Sequence, residues 1–409
     1  GRFMGMDTDD GSGGPFITDL AGMAGGLAPL IAVDAALAGL GVFVSVVSYG
    51  ADPTGTSDST TAILAADAAC EAAGGGIVWF PAGTYRCDSQ LTLSTDGGSP
   101  VPKIKARAWM GPGSWMSGKS TNSAPNGGAI LDMRGNSAAG LFLNAEGRLG
   151  LSGFTFTQLG TAHTQPMILV TNTTVHIDDC AFYGHTTKTT TACDQDAIVF
   201  GGTTTSIGSS ASAPFQGYGS RVRGCHFNRI KRGVWGRMYA NALKVQDNTW
   251  WAQCGGATAI EFDGGADSTN YNVGATITGT LIECVGYTRA MVLDYVQNFT
   301  IIGNDFYDDS AISAGGYILI GAHCQYNTIV AGHYVSSKPY VSAAGDNLVL
   351  DMAQAQTSTF PQPVVFSDEG TSATIRNGLF VGNPSGVPIA VQPDVSKSDA
   401  TILLEARRS

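Results

Sequence analysis

Acidic residues in the second half of the chain have the spacing of paired catalytic carboxylates. Asp263 and Asp294 each follow a short apolar stretch with the alternation of a β-strand. If these stretches are neighbouring strands of a parallel sheet, the two carboxylates lie about 5 Å apart. Retaining glycoside hydrolysis uses that separation, and Glu261 would share the outer face of its strand. The same pattern also fits a solvated aspartate ladder bridged by Arg237, so both interpretations stand.

Glu283 is the centre of a second group of candidate residues. In neighbouring copies of the pattern described below, its place is taken by Trp251 and Tyr307, and Asp305 lies close by in the chain. Sugar rings stack on Trp and Tyr, and a carboxylate between two aromatic rings can bind hydroxyls or act as an acid. This predicts a sugar-binding face. The alternative is an aromatic face between subunits.

The segment 221–237 is strongly cationic in a chain with a net charge of −11. Lyase chemistry on uronic acids requires a base for the C5 proton and a cation that neutralises the carboxylate. The alternative is ion pairing with the Asp263 and Asp294 side of the next coils or with a neighbouring subunit. The residues are Arg221, Arg223, Arg229, Lys231, Arg232 and Arg237, together with His226.

A short phrase that recurs after about residue 140 predicts the elements that position these residues. Its eight positions are an apolar residue, any residue, an apolar residue, any two residues, a small or amide residue, any residue and an aromatic residue. Examples are VHIDDCAF (175–182) and LKVQDNTW (243–250). A second phrase with strand alternation follows each copy. Each period has room for short strands and none for a crossover helix, which indicates a parallel β-solenoid. Its predicted aromatic column is Phe156, Phe182, Phe227, Trp250, Ile282, Phe306, Tyr334 and Phe380.

An alanine-rich helix at about 58–73 precedes the repeat. Asp58 or Ser57 is its expected N-cap, and the glycines at 74–76 are expected to end it. A solenoid has an open strand edge that invites aggregation and needs a cap. The helix is therefore predicted to cover the first coil.

The stretch 46–87 resembles the opening module of the pectate-lyase-like right-handed parallel β-helix superfamily, which is common in phage tailspikes and in secreted polysaccharide lyases and glycosidases. The resemblance implies an all-β, right-handed parallel β-helix and transfers no catalytic residue. The residues that carry it are Tyr49, Gly50, Ala51, Asp52, Gly55, Asp58, Thr61, Ala62, Gly74, Gly75, Gly76, Phe80, Pro81, Gly83, Thr84 and Tyr85.

We divide the chain into three parts. Residues 1–41 are a Gly/Ala-rich arm, either flexible or used for attachment or oligomerisation. Residues 42–385 are the β-helix with its cap. Residues 386–409 are a tail, either an extra strand pair joining subunits or a loose end.

Composition limits the function classes. The 55 glycines and 13% charged residues are typical of a turn-rich β-protein, and the net charge of −11 argues against nucleic-acid binding. No apolar stretch is long enough for membrane insertion. The eight cysteines show no metal spacing and are expected to be buried free thiols, with one or two disulfides as the alternative. We expect no metal and no cofactor.

The resemblance implies a tailspike-like receptor-binding protein that binds and depolymerises a bacterial surface polysaccharide. As in such proteins, we expect a homotrimer, made in the host cytoplasm and located in the virion or outside cells, whose arm contacts a phage baseplate or tail protein. The predicted reaction is glycosidic bond cleavage by Asp263, Asp294 and Glu283, with a lyase as the alternative. A non-catalytic virion fibre or adhesion protein, or a secreted polysaccharide lyase with an export signal, are the other functions left open.

Overall fold

The computed structural model describes the greater part of the chain from residue 42 onward. In the described residues the chain forms a right-handed parallel β-helix, as predicted, with one 3-10 turn, Val46–Tyr49, and one α-helix, Thr60–Ala72. The described ranges are 42–93, 106–114, 127–134, 138–144, 147–159, 164–171, 173–184, 194–201, 217–237, 240–250, 256–263, 271–284, 286–307, 312, 316–330, 332–333, 341–343, 347–351, 364–366, 373–376 and 402–405.

Three long parallel sheets form the faces of the coil, and we name them in the order in which the repeating chain meets them. In the described ranges the first sheet has thirteen strands. They are Val42–Ser45, Gly76–Trp79, Arg107–Met110, Gly147–Ser152, Thr173–Asp178, Arg221–Arg223, Lys244–Gln246, Thr276–Thr278, Thr300–Ile302, Thr328–Val330, Leu348–Asp351, Ala373–Arg376 and Ile402–Glu405.

The second and third sheets follow the first in each coil. The second sheet consists of Thr54–Asp58, Gly83–Cys87, Ala129–Met133, Phe154–Thr157, Ala181–Tyr183, His226–Asn228, Thr249–Trp250, Leu281–Glu283 and Asp305–Tyr307. The third consists of Leu91–Leu93, Leu141–Leu143, Ile168–Val170, Asp196–Phe200, Arg232–Gly236, Gly256–Phe262, Tyr287–Leu293, Ile318–Ile320, Val341–Ala343 and Val364–Phe366. A short pair, Asn272–Val273 and Val296–Gln297, lies outside these sheets.

The strands pair coil by coil in the register that the repeat predicts. In the first sheet, for example, Ile277 pairs with Val245 of the preceding coil and with Ile301 of the following coil. All three side chains are fully buried. Each inward position therefore stacks on its equivalent one coil away, and the core is a set of columns along the axis.

The aromatic column of the second sheet is a continuous stack. The ring centroids of Phe156 and Phe182 are 5.1 Å apart, those of Phe182 and Phe227 are 5.1 Å apart, and Phe227 lies 4.3 Å from Trp250. Each pair is within 16° of parallel. Tyr334 and Phe380, placed in the same column by the sequence, lie outside the described residues.

Buried asparagines tie successive coils together at the turn between the first and second sheets. The Asn248 side chain accepts a hydrogen bond from the Cys225 N–H (2.8 Å) and donates one to the Val222 carbonyl (3.0 Å). Asn304 repeats this arrangement with Thr280 and Ile277. A buried backbone group without a partner is costly, so an amide at this turn satisfies a donor and an acceptor at once.

The helix lies over the first coil, as expected of a cap, and begins at Thr60, two residues later than predicted. Its N-cap is Ser59, not Asp58 or Ser57, and Ser59 makes no side-chain capping bond. Asp58 still supplies the missing acceptor, because its carboxylate accepts the Thr60 N–H at 3.0 Å. The expected capping chemistry is therefore present, moved by one position.

The glycines after the helix end it as predicted. Gly74 and Gly75 have φ values of 110° and 101°, a left-handed conformation that side chains rarely adopt. The Gly75 N–H donates to the Cys70 carbonyl at 2.9 Å and closes the last turn. The chain then enters the strand Gly76–Trp79 directly.

A buried polar group fastens the helix to the first sheet. Arg107 donates two hydrogen bonds to Asp67, both 2.6 Å long, and a further one to Glu71. Trp109 Nε1 donates to the same Asp67 carboxylate at 2.7 Å. We call Asp67, Glu71, Arg107 and Trp109 the cap cluster.

The six cysteines in the described ranges are free and buried, as expected. Burial raises the pKa of Cys180 and Cys324 to about 12, so both remain thiols at neutral pH. Cys193 and Cys254 lie outside the described residues.

One described strand lies near the end of the chain. Ile402–Glu405 adds a parallel strand to the first sheet next to Ala373–Arg376. The predicted domain limits at 41 and 385 stay predictions, since residues 1–41 and most of the tail lie outside the described residues.

None of the described helices has the length and apolarity needed to cross a membrane.

Candidate functional site

The two aspartates occupy equivalent positions at the end of adjacent strands in the third sheet. The Asp263 N–H donates to the Gly236 carbonyl, and the Asp294 N–H donates to the Phe262 carbonyl, each at 2.9 Å. Asp294 therefore lies one coil after Asp263, at the strand separation of about 4.8 Å. This is the placement that the sequence pattern predicts.

The two carboxylates are held by donors on opposite sides. Asp263 accepts a hydrogen bond from Trp235 Nε1 (3.1 Å), which is on the preceding coil. Asp294 accepts one from the His323 N–H (3.2 Å), on the following coil. The backbones of the two residues are therefore in register, but their side chains accept hydrogen bonds from different coils. Asp263 is bound by the preceding coil and Asp294 by the following one.

Glu261 lies two residues before Asp263 and shares an arginine with a second acid. Arg232 donates two hydrogen bonds to Asp196 (2.7 and 2.9 Å) and one to Glu261 (3.0 Å). One guanidinium thus serves two carboxylates. Burial raises the pKa of Glu261 above its usual value of 4.5, against the opposing effect of Arg232, and the Asp263 charge raises it further.

The Trp235 ring lies close to two guanidinium groups. The Cζ atom of Arg232 is 3.2 Å from the centre of the indole ring, and that of Arg237 is 4.5 Å from it. The Nε of Arg237 is buried and has no hydrogen-bond partner among the described residues. Arg237 is therefore anchored by its stack and has hydrogen-bonding capacity left over. We call Asp196, Arg232, Trp235, Arg237, Glu261 and Asp263 the third-sheet cluster.

His323 adds an imidazole to this edge of the sheet. Its Nδ1 lies 3.1 Å and 3.2 Å from the two carboxylate oxygens of Asp294, and its ring stacks on Tyr295 at 4.1 Å. The Tyr295 hydroxyl is 3.3 Å from Nε2. Because the rings are parallel within 9°, the in-plane lone pair of Nε2 does not point at that hydroxyl. An imidazole oriented by a carboxylate through Nδ1 can transfer protons through Nε2.

The residues predicted around Glu283 lie on a different face of the coil. Glu283 pairs in register with Tyr307, which is exposed, in the second sheet. Asp305 accepts the His333 N–H at 3.0 Å. Trp251 lies outside the described residues. Glu283 is thus on the second sheet and the aspartates follow the third, so the three predicted catalytic acids do not form one group.

The cationic segment runs through all three sheets. Arg221 and Arg223 form ion pairs with Asp178 on the first sheet, with N–O distances of 2.6 and 3.1 Å. Arg232 pairs with acids of the third sheet. The expected ion pairing occurs, but its partners are Asp178, Asp196 and Glu261, not Asp263 and Asp294.

His226, next to these cations, is buried and is not placed to act as a base. Burial lowers its pKa to about 4.

The described residues contain no group of three or more His, Cys, Asp and Glu side chains that could hold a metal ion.

Sequence reasoning missed four residues of this edge, namely Asp196, Trp235, Tyr295 and His323. His323 follows Gly321, the residue aligned with Asp294 on the next coil, by two positions. Following the alignment past the strand end into the turn would have found it. Trp235 and Asp196 lie within aligned strands but needed the side-chain directions, which the repeat does not give.

Residues 43–233 match a protein family described as rhamnogalacturonase A/epimerase, pectate lyase-like. The match spans just under half of the chain and includes the cap and the Asp196–Arg232 pair. No curated protein matches the chain.

Several solved structures have a similar fold. A point mutant of DFA-IIIase from Arthrobacter chlorophenolicus A6 in complex with DFA-III has a TM-score of 0.59 at 11% identity, covering 90% of this chain and 99% of its own. The same enzyme in complex with GF2 has a TM-score of 0.54 at 11% identity, with 85% and 96% covered. The Agl-KA catalytic domain has a TM-score of 0.51 at 14% identity, with 88% and 68% covered. Together with the family match, they confirm that the chain has the pectate-lyase-like parallel β-helix fold that its opening module resembles.

Proposed function

We propose that this protein is a carbohydrate-active enzyme that cleaves glycosidic bonds at the outer edge of the third sheet. The observation that carries the proposal is that Glu261, Asp263 and Asp294 lie on two adjacent coils, in environments that differ. Glu261 is partly buried with a raised pKa. Asp263 accepts an indole N–H. Two carboxyl groups in contrasting environments are the arrangement needed for one acid and one base or nucleophile.

The acid role falls to Glu261. Its raised pKa keeps more of it protonated at a given pH than a free glutamate, so it can protonate a leaving oxygen. Asp263 then acts on the sugar carbon or on a water. Positive charge from Arg237 is available for oxygens of the substrate.

Asp294 is better placed to orient His323 than to attack a sugar, because both of its oxygens lie within 3.2 Å of the His323 Nδ1. Tyr295 and Tyr271, with ring centroids 5.9 Å apart, provide aromatic surface beside it. Sugar rings can stack there. The Asp294 end of the edge is therefore a binding and proton-transfer region next to the carboxylates that cleave.

The comparisons support the carbohydrate-active class. The matched family is described by the names of a rhamnogalacturonase and an epimerase, and we carry the class over from that match. We further propose that the protein acts as a tailspike-like receptor-binding protein on a bacterial surface polysaccharide, in a virion or outside cells, and as a homotrimer. Light scattering tests the last point, since a mass of 42.2 kDa would show a monomer.

The cleavage proposal is tested by comparing Glu261→Gln, Asp263→Asn and Glu283→Gln on a panel of bacterial surface polysaccharides. Release of reducing ends should fall about 10²–10⁴-fold in the first two variants and remain near wild type in the third, whose acid is on the second sheet. Absorbance of unsaturated uronides, measured in parallel, identifies a lyase instead of a hydrolase.

Two outcomes contradict the proposal. If Glu283→Gln is inactive while Asp263→Asn is active, the site is on the second sheet. If the wild-type protein releases nothing from any tested glycan, it is not a depolymerase of these polymers.

A non-catalytic fibre or adhesion protein is the second candidate. It is favoured by the donors that hold the two aspartates, Trp235 Nε1 for Asp263 and His323 for Asp294, because carboxylates held in this way can serve binding alone. It predicts that Asp263→Asn changes the affinity for a glycan without any product being formed.

A further inference from the structure

The outer face of the first sheet carries cationic or titratable side chains on three consecutive coils. His176 pairs in register with Arg221, and Arg221 pairs with Lys244. The buried neighbours Ile177, Val222 and Val245 point into the core, so this set points outward. We call His176, Arg221 and Lys244 the cationic column.

Arg221 and Lys244 are directly opposed like charges, which destabilises a sheet. Asp178 offsets part of this charge through two hydrogen bonds to Arg221, 2.9 and 2.6 Å long. It is shared, however, with Arg223 of the neighbouring column, at 3.1 Å. One carboxylate therefore serves two arginines, and Lys244 adds a further positive charge beside them.

The positive field of this face acts on His176. Burial, followed by the charges of Arg221, Arg148 and Lys244, lowers the pKa of His176, while Asp178 opposes them. Arg148 and Lys244 are both exposed. The whole chain has a net charge of −11, so this concentration of cations is local and opposite in sign to the net charge of the chain.

The column continues along the axis with hydroxyl groups. Lys244 pairs with Thr276, which pairs with Thr300, and that residue pairs with Thr328. A linear ligand lying along this face would meet cations on the early coils and hydroxyl groups on the later ones, at steps of about 4.8 Å. A ligand with hydroxyls throughout and acidic groups at intervals fits this arrangement better than a continuous phosphate backbone.

We propose that the outer face of the first sheet binds a linear acidic polysaccharide, with Arg148, Arg221 and Lys244 contacting its carboxylates and the threonines its hydroxyl groups. An opposed Arg–Lys pair that costs stability in the free protein is stabilised when an anion covers it. This surface is separate from the third-sheet edge, and it stands whether or not that edge cleaves glycosidic bonds.

The test measures binding to polygalacturonate, with neutral dextran and single-stranded DNA as comparison polymers. The measurement is made in the Glu261→Gln background, so that the polymer is not consumed. Lys244→Gln and Arg148→Gln should each weaken polygalacturonate binding about tenfold at low salt, and the affinity should fall with added salt. Lys231→Gln, which removes one charge near the third sheet, is the matched control and should bind as its parent does.

Stability provides an independent readout. Lys244→Gln removes the opposed charge and should raise the melting temperature of the free protein by about 1–2 °C, while Lys231→Gln should not. A loss of binding that accompanied a lower melting temperature would point to damaged folding and overturn the assignment.

Four other results overturn the proposal. They are no binding of polygalacturonate by the parent protein, equal binding of dextran, tighter binding of single-stranded DNA, and unchanged binding in the Arg148→Gln, Lys244→Gln double variant.

Discussion

The cap cluster and the third-sheet cluster contain the same kinds of side chain but connect them differently. Each has an arginine that donates two hydrogen bonds to one aspartate and another to a glutamate, and each has a tryptophan beside it. In the cap, Trp109 donates to the aspartate that already binds Arg107. In the third sheet, Trp235 donates to a different acid, Asp263. The tryptophan of the first group thus binds the acid that its arginine binds, whereas the tryptophan of the second group binds a further carboxylate.

The two arginines also differ in how they are covered. The Arg107 side chain is 1% exposed, and its two acids come from one face of the helix that lies over it. The Arg232 side chain is 9% exposed and its partner Glu261 is 20% exposed, and both acids come from strands on either side of it. A helix above the arginine shields the cap cluster from solvent, whereas strand partners leave part of the third-sheet cluster exposed.

The largest expected effect is the loss of the cap arginine. Arg107→Gln removes the guanidinium that binds the buried Asp67 carboxylate and Glu71 next to the core, which should cost about 3–5 kcal/mol of the free energy of unfolding. Denaturant unfolding followed by circular dichroism measures it. Arg86→Gln is the control, because its partner Asp88 is one-third exposed (34%), and it should change the midpoint far less. Equal shifts in the two variants would show that the cap cluster does not fasten the helix.

Glu261 should make the free energy of unfolding depend on pH. Because its pKa is raised in the folded protein, the folded state binds this proton more tightly than the unfolded state. The resulting stabilisation is present below the usual value of 4.5 and is lost as the pH rises through the folded pKa.

Glu261→Gln cannot titrate and removes this effect. The melting temperature of the wild type minus that of Glu261→Gln should therefore fall as the pH is raised from about 4 to about 8. Two curves that stay parallel over this range would contradict the raised pKa.

The smallest effect concerns the tryptophans. Trp235→Phe keeps an aromatic ring near Arg232 and Arg237, and it removes the N–H donated to Asp263 and part of the ring at a half-buried position, at a cost of about 1 kcal/mol. Trp109→Phe, the matched change in the cap, also leaves a gap around a fully buried side chain and should cost more. Thermal unfolding of both variants gives the comparison, and a larger loss for Trp235→Phe would reverse the ranking of the two clusters.

The sequence was sufficient for the fold because the fold is a sum of local rules. Apolar alternation, an amide at one turn and an aromatic residue two positions later recur with each coil, and stacking requires each of them separately. The backbone positions of Asp263 and Asp294 followed from the same alignment. The directions of their side chains did not, since these depend on Trp235 and His323, which lie on neighbouring coils and outside the repeated phrase.

Glu283 shows what the sequence alignment of the coils does not predict. Its alignment with Tyr307 was correct, but period-two alternation gives the outward residues of every sheet equally. Which outward face contains the cluster depends on long-range contacts, such as Arg232 with Asp196 and Glu261, that no single phrase contains.

The buried thiols provide a way to follow how the protein unfolds. Cys70 lies under the cap, Cys180 and Cys225 in the middle coils, and Cys324 in a late coil, all at most 1% exposed. Burial keeps them protonated, so an alkylating reagent reaches each one only when its own coil opens. With Cys87 and Cys284, which are also buried, mass spectrometry of the modified peptides would resolve six described positions along one axis without any introduced label. The order of their modification would record whether the solenoid unravels from its capped end or from the other.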